Sequence, residues 1–180
     1  MDNNQINLES ISERQNSFRW WYAVIIFIIA NLVSALPVGF VGDKVFYNNF
    51  EQPQFSPPDW LFAPMWLFLN ITSLIALSIV ANSSESTVRR RVFLILEAIG
   101  WVLFAIFTTL YFWMRSPILG AVDTVAGLAV GFASLVYCYG IDRRAAFFIS
   151  LRVLWLCLAS YISVYIAFHN TDGFFRSISN

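Results

Sequence analysis

Five apolar stretches, Trp20 to Val41, Trp60 to Ala81, Val92 to Trp113, Ile118 to Tyr139 and Ala145 to Phe168, divide this chain of 180 residues. As helices at 1.5 Å rise per residue, each is long enough to cross about 30 Å of hydrocarbon. Together they occupy more than half of the chain, which leaves no room for a separate extramembrane domain. The fold class that follows is an all-α membrane protein, a five-transmembrane-helix bundle over residues 19–170. A polar tail precedes it at 1–18, and a short C-terminal tail follows at 171–180.

Composition points the same way. Hydrophobic residues make up 58% and charged residues 12%, where a soluble domain carries about a quarter charged, so too few charges remain to cover a water-exposed surface. The 11 basic residues cancel the 11 acidic ones; no basic patch is left over for phosphates, and a nucleic-acid partner is not expected. The expected partner is the lipid bilayer. Cys138 and Cys157 lie inside apolar runs and read as small buried hydrophobes. The only histidine, His169, stands beyond the last run without metal-ligand spacing around it. With no hydrolase triad, phosphate loop or metal cluster, no catalytic residue, metal or required cofactor is expected. What composition leaves unexplained is the aromatic content: 7 Trp, 7 Tyr and 18 Phe.

Arg19, Trp20 and Trp21 put a cation and two amphipathic rings where an interface belt would want them. Val33-Ser34-Ala35 is a faint cleavage pattern, but the long polar leader and the apolar run continuing past that site favour a first span over a signal peptide. If the N-terminal tail shares a side with the second and fourth loops, that side holds Arg14, Arg19, Arg89, Arg90, Arg91, Arg143 and Arg144. The other side holds Lys44, Arg115 and Arg176. The bias puts the N-terminus in the cytoplasm and the C-terminus outside, and with no transit-type leader a bacterial inner membrane is expected.

The longest connection, Gly42 to Asp59, combines Pro53, Pro57 and Pro58 with Phe46, Tyr47, Phe50 and Phe55. Fixed φ angles stiffen it while its rings avoid water, so it should fold back over something apolar. Asp59 supplies negative charge at the start of the second span, and Pro64 falls in its first turns, where a missing amide proton costs least.

The run Phe46-Tyr47-Asn48-Asn49-Phe50-Glu51-Gln52-Pro53-Gln54-Phe55-Ser56-Pro57-Pro58-Asp59-Trp60-Leu61-Phe62-Ala63-Pro64-Met65-Trp66 resembles the pattern WYxxLxKPxWxPPxWxFxPxW of the tryptophan-rich sensory protein, or translocator protein (peripheral benzodiazepine receptor), family. Met114-Arg115-Ser116-Pro117-Ile118-Leu119-Gly120-Ala121-Val122-Asp123 resembles that family's LRxPxLALVD/E segment. Trp155-Leu156-Cys157-Leu158-Ala159-Ser160-Tyr161-Ile162-Ser163 resembles its fifth-helix WxxFATYLN. The resemblance implies a five-helix bundle, commonly a homodimer, with a pocket between helices beneath the first loop. The pocket would bind tetrapyrroles such as porphyrin and haem, or similar flat hydrophobic molecules. On this basis the ligand-binding candidates are Phe46, Tyr47, Phe55, Trp60, Trp66, Phe104, Phe107, Tyr111, Trp155 and Ala159. Stacking and apolar contact suit a flat conjugated ring, which gives the aromatic excess a use.

The chain also departs from the pattern. Leu103-Phe104-Ala105-Ile106-Phe107 stands where relatives read LNxxW, so two phenyl rings replace an amide and an indole, and the pocket should be drier and poorer in donors. Phe46 and Phe55 replace tryptophans, Gln52 replaces a lysine, and Leu151-Arg152 replaces a Pro-Tyr pair. No Lys or Arg follows Tyr161 or Tyr165 at the spacing of the sterol-type motif. Relatives reported to degrade porphyrin in light depend on tryptophans at the positions of Trp66 and Trp155, which keeps an enzymatic reading open beside the main one. The main reading is a membrane receptor or sensor, with transport or stress signalling as its output; a ligand-free structural partner is the third.

Three ionisable residues fall within the spans: Glu97, Asp123 and Arg152. Each would cost about 2.5 to 3.5 kcal/mol facing lipid at the helix centre, so each should face the bundle interior or a neighbour. Glu97 and Arg152 lie about two turns in from arginine-rich ends on the same membrane side. An interhelical bridge between them, snorkelling of Arg152 and a ligand contact all remain open. Asp123 lies near Arg115, where a local ion pair would tie the third loop. Gly127-Leu128-Ala129-Val130-Gly131 is a GxxxG spacing that suits either a dimer or the bundle itself.

The orientation is testable with single cysteines at Asn49 and Ser84, on a background with Cys138 and Cys157 changed to Ala. An impermeant thiol reagent added outside the cell should label position 49 and spare position 84; labelling at 84 would invert the topology.

Overall fold

Helix α1 (Trp20–Val41) opens the computed structural model, which describes residues 19–41, 50–83 and 87–178. A 3-10 turn at Asp59–Leu61 leads into α2 (Phe62–Ala81). Helix α3 (Thr87–Thr108) ends in a π-helical turn at Thr109–Trp113, and α4 (Pro117–Tyr139), α5 (Arg143–His169) and the short α6 (Gly173–Ile178) follow. Five of these helical segments are long and apolar enough to cross a membrane. Their outward faces carry Phe132, Val136, Phe147 and Leu154, all strongly exposed, as a lipid-facing surface requires. The chain is a multi-pass integral membrane protein.

Capping explains where helix ends depart from the hydropathy limits. Helix α5 begins at Arg143 rather than Ala145 because the Asp142 carboxylate accepts hydrogen bonds from the amides of Arg144 (2.7 Å) and Ala145 (2.9 Å). Ser116 caps α4 in the same way, accepting from Leu119 N at 3.1 Å, with Pro117 at the first helical position. Helix α3 begins five residues before the apolar stretch because its first turns carry Arg89 to Arg91. Arg90 reaches Ser83 O at 2.8 Å and Arg89 reaches Gly140 O at 3.4 Å, so arginines of one helix start tie down the second and fourth loops.

The segment after Asn170, which reads as a tail, holds α6 and is anchored by one buried side chain. Asp172 Oδ1 accepts from the amides of Phe174 and Phe175, both at 3.0 Å. Its Oδ2 accepts from Ser116 Oγ (2.7 Å) and Ile118 N (3.0 Å), so one carboxylate caps α6 and the start of α4 together. Arg115, at φ 52, turns the chain into α4, and its carbonyl accepts from Gly173 N at 3.1 Å. A Cβ at position 173 would press on that carbonyl, which is why glycine suits the approach.

Helices α4 and α5 share the longest interface, followed by α3 with α4 and α2 with α5. The GxxxG residues serve this packing: the Cβ positions of Gly127 and Gly131 would lie 3.7 and 3.4 Å from Leu156, a neighbour on α5 of the same chain. The dense core gathers at the arginine-rich end, where Ala76, Val80, Phe93, Cys138, Ala145 and Ile149 are almost wholly buried. Helix α1 is the most peripheral of the spans. It is joined to α2 by Asn70 Nδ2 to Asn31 Oδ1 (3.4 Å) and to α3 by Thr108 Oγ1 to Ser34 O (2.6 Å).

Next to that core sits the ion pair of the spans. Arg152 Nη1 donates to Glu97 Oε2 at 2.9 Å while its Nη2 donates to Glu97 Oε1, a two-pronged contact on a carboxylate with no exposure. Ser134 Oγ donates to Glu97 Oε1 at 2.6 Å, and Arg152 Nη1 also donates to Ser73 Oγ at 3.2 Å. Four helices therefore meet at one polar node. Removing one partner leaves a buried charge, at a cost of about 3–5 kcal/mol, whereas removing both leaves none. Arg152→Leu should lose monodisperse, folded protein on size exclusion in detergent, and the double variant with Glu97→Leu should recover it; absence of recovery would mean that the pair is not the reason Arg152 is needed.

Candidate functional site

Away from the dense end lies a cavity of about 620 Å³, bordered by residues from all five spans. That size lies within the range of small-molecule sites. Arg152 closes its floor, and the walls are largely aromatic: Phe62 and Trp66 from α2, Trp101, Phe104 and Phe107 from α3, and Phe112 from the π-helical turn. The spacing of Phe104 and Phe107 from Trp101 turns these rings toward the same side of α3.

The rings support each other. Trp66 meets Phe104 at 5.5 Å between centroids, and Trp101 meets Phe104 edge-on at 6.0 Å. Phe107 stacks on Tyr111 at 5.5 Å and 13°. Gly127 and Gly131 border the opposite wall, where the absence of side chains makes the space. The polar groups of the lining are few, and most are already bonded within the protein: Asn31 donates to Phe27 O (2.8 Å), and Thr124 donates to Gly120 O (2.8 Å). Phenyl rings at 104 and 107 thus leave an apolar wall, as the substitution of the amide and the indole suggests.

The first loop closes toward the far end of α5. Asn170 holds it with two hydrogen bonds, accepting from Glu51 N at 2.8 Å and donating to Glu51 O at 3.0 Å. Tyr165 OH donates to Glu51 Oε1 at 3.1 Å, and Phe50 lies edge-on to Tyr111 at 6.2 Å. Within the described part of the loop Phe50 therefore folds back onto an aromatic ring, whereas Phe55 stays exposed. His169 stacks on Tyr165 at 3.9 Å and 11°, and its Nδ1 lies 2.9 Å from Tyr165 O, so it is engaged locally at the helix end.

The candidates from the sequence divide into groups. Trp66, Phe104, Phe107, Asp123 and Arg152 border the cavity together. Tyr111, Trp155 and Ala159 are buried but lie outside its lining; Trp155 stands behind Phe62, edge-on at 5.6 Å. Glu97 is buried beneath the floor. Phe55 and Trp60 are 79% and 72% exposed and lie outside the cavity's lining. The turn that bonds Ser56 N to Pro53 O (2.9 Å) and the 3-10 turn after Pro58 rotate both rings outward. Phe46 and Tyr47 lie outside the described residues. One correction concerns Asp123. Among the described residues it makes no ion pair with Arg115; it is 6% exposed, borders the cavity, and its Oδ1 has no hydrogen-bond partner.

Phe62, Asn31 and Asn70 border the cavity without having been candidates. Asparagines inside two apolar spans were the readable signal for the last two, since an amide there needs a partner.

The model of the TspO/MBR family matches residues 22–169 of this chain. Proteins named tryptophan-rich protein TspO are similar to it. That of Chlorobaculum tepidum is 28% identical over 135 residues, 71% of this chain and 85% of the relative. That of Archaeoglobus fulgidus is 27% identical over 149 residues, 77% of this chain and 94% of the relative. That of Bacillus cereus is 21% identical over 140 residues, 78% of this chain and 90% of the relative.

Proposed function

This chain belongs to the TspO/MBR family, and on that premise we propose that it is a membrane receptor or sensor that takes a tetrapyrrole, porphyrin or haem, or a similarly flat apolar molecule into the cavity among its five spans. The observation that carries this reading is the aromatic wall. Phe62, Trp66, Trp101, Phe104 and Phe107 border one cavity of about 620 Å³, and faces and edges of rings are what a flat conjugated molecule packs against best. The tetrapyrrole is a ligand in this reading, and no resident cofactor is needed. The arginine bias of the second and fourth loops supports an N-terminus in the cytoplasm, in a bacterial inner membrane. The family resemblance supports a homodimer.

Protoporphyrin IX and haem titrated against detergent-solubilised protein, followed by the Soret band, test the reading. Saturable binding is expected. Trp66→Ala should weaken it about threefold to tenfold, the equivalent of an aromatic contact of about 0.5–1.5 kcal/mol. Trp155→Phe should change it less than about twofold, since that ring keeps an aromatic face behind Phe62. No saturable binding by the wild type would remove the proposal, and loss of porphyrin on illumination of the complex would favour the degrading enzyme instead.

A further inference from the structure

Two of the charged side chains that border the cavity, Arg152 and Asp123, have very different standing. Arg152 spends three of its donor contacts on Glu97 and Ser73, so its charge is balanced within the protein. Asp123 is the opposite case. It is 6% exposed, it borders the cavity, and its Oδ1 has no partner among the described residues. Asn31, Asn70, Thr108 and Thr124 of the lining make hydrogen bonds inside the protein, and the Trp101 Nε1 donor is the other buried polar atom there that makes none among the described residues. A carboxyl oxygen kept from water without a partner forfeits the interaction it would have had outside, so an acceptor left this way in a binding cavity favours a ligand that brings the donor.

Depth along the helices separates the two charges. Arg152 Nη1 is near the level of Gly100 and Val130, for a Cβ at Gly100 would lie 3.9 Å from that nitrogen and 4.0 Å from Val130. Asp123 precedes Val130 by seven residues on α4, which is about 10 Å along the axis. The aromatic wall spans the interval, with Trp101, Phe104 and Phe107 rising along α3. At the Asp123 end the cavity is also bordered by Asp59 of the 3-10 turn. The floor is therefore electrically balanced, the wall is apolar, and the loop end is acidic.

We propose that Asp123 is a ligand-binding residue, accepting a hydrogen bond from a nitrogen-borne proton of the bound molecule. The site then selects flat aromatic ligands that carry an N–H donor, a heteroaromatic N–H or a protonated amine, over hydrocarbons of the same shape. The inference rests on the cavity being the ligand site, as proposed above, and adds the chemistry that the ligand must present.

Two probes with the same three fused rings isolate that chemistry: 9-aminoacridine, which bears N–H donors and a positive charge at neutral pH, and anthracene, which bears neither. Binding is measured by quenching of tryptophan fluorescence in neutral detergent, with partition into protein-free micelles subtracted. Wild-type protein should prefer 9-aminoacridine by about tenfold or more, the scale of a hydrogen bond to a charged group. Asp123→Asn should remove most of that preference while leaving anthracene affinity within about twofold, which also reports that the variant is folded. Equal wild-type affinity for the two probes would overturn the inference without any variant, as would equal losses of both in Asp123→Asn. If protoporphyrin binds saturably while these probes show no dependence on Asp123, this inference fails alone. If neither probe nor protoporphyrin binds, the cavity reading fails with it.

Discussion

The contact of Arg152 with Glu97 organises this bundle more than any other. In a bilayer neither charge can turn to water without moving a helix, so the pair persists only where its geometry and remaining hydrogen bonds are complete. Here the guanidinium grips both carboxylate oxygens, Ser134 donates to one of them, and Ser73 accepts from Nη1. Each of these four residues belongs to a different helix, α5, α3, α4 and α2. A polar node of that kind is directional, and it fixes the rotation and axial register of four helices whose apolar contacts alone would permit sliding. Helix α1 has no part in it and is joined to α2 and α3 by single side-chain hydrogen bonds.

The node also divides the bundle into two halves with different work. On the arginine-rich side small residues and capped starts bring the helices into dense contact around Phe93 and Ile149. On the other side the same helices carry rings on one wall and glycines on the opposite one, and a cavity opens between them. That half is secured from outside by polar contacts at the chain's turns. Asn170 and Tyr165 hold Glu51 of the first loop, while Asp172 joins α6 to the start of α4. A site in which the floor is an ion pair and the rim is clamped can present rings in fixed positions, which reduces the ordering that a ligand must impose.

The spans were legible in the sequence because the bilayer sets their length and forbids charge on their outer faces, and all five helices fall where the apolar stretches lie. Their ends were less legible, since Asp142 and Ser116 start helices by accepting amide protons, a local event that hydropathy does not record. Helix α6 was illegible for a related reason: it is six residues long and depends on Asp172 meeting Ser116 across 56 positions of sequence. Facing was the hardest to read. Motif resemblance assigns Trp60 and Phe55 to the neighbourhood of the first loop, yet the direction of each ring depends on turns around Pro53 and Pro58, and both point outward. Trp66 and Phe104 were legible because both sit well inside helices, where position fixes direction.

Asp123 and Arg152 read alike in the sequence, as single charges inside apolar spans, and the structure treats them in opposite ways. For Arg152 the cost of burial is offset by a carboxylate and a hydroxyl from the same chain. Asp123 has neither, although Arg115 lies only eight positions away, because the chain turns at Arg115 with a positive φ and α4 carries the carboxylate toward the cavity instead. Two similar costs at insertion thus lead to different consequences. A satisfied charge at the floor supports the fold and offers little to a ligand, whereas a carboxylate without a protein partner at the other end gives the cavity a polarity. A flat molecule binding between them would meet one favourable orientation, with its donor toward the first loop and its apolar body along Trp66 and Phe104.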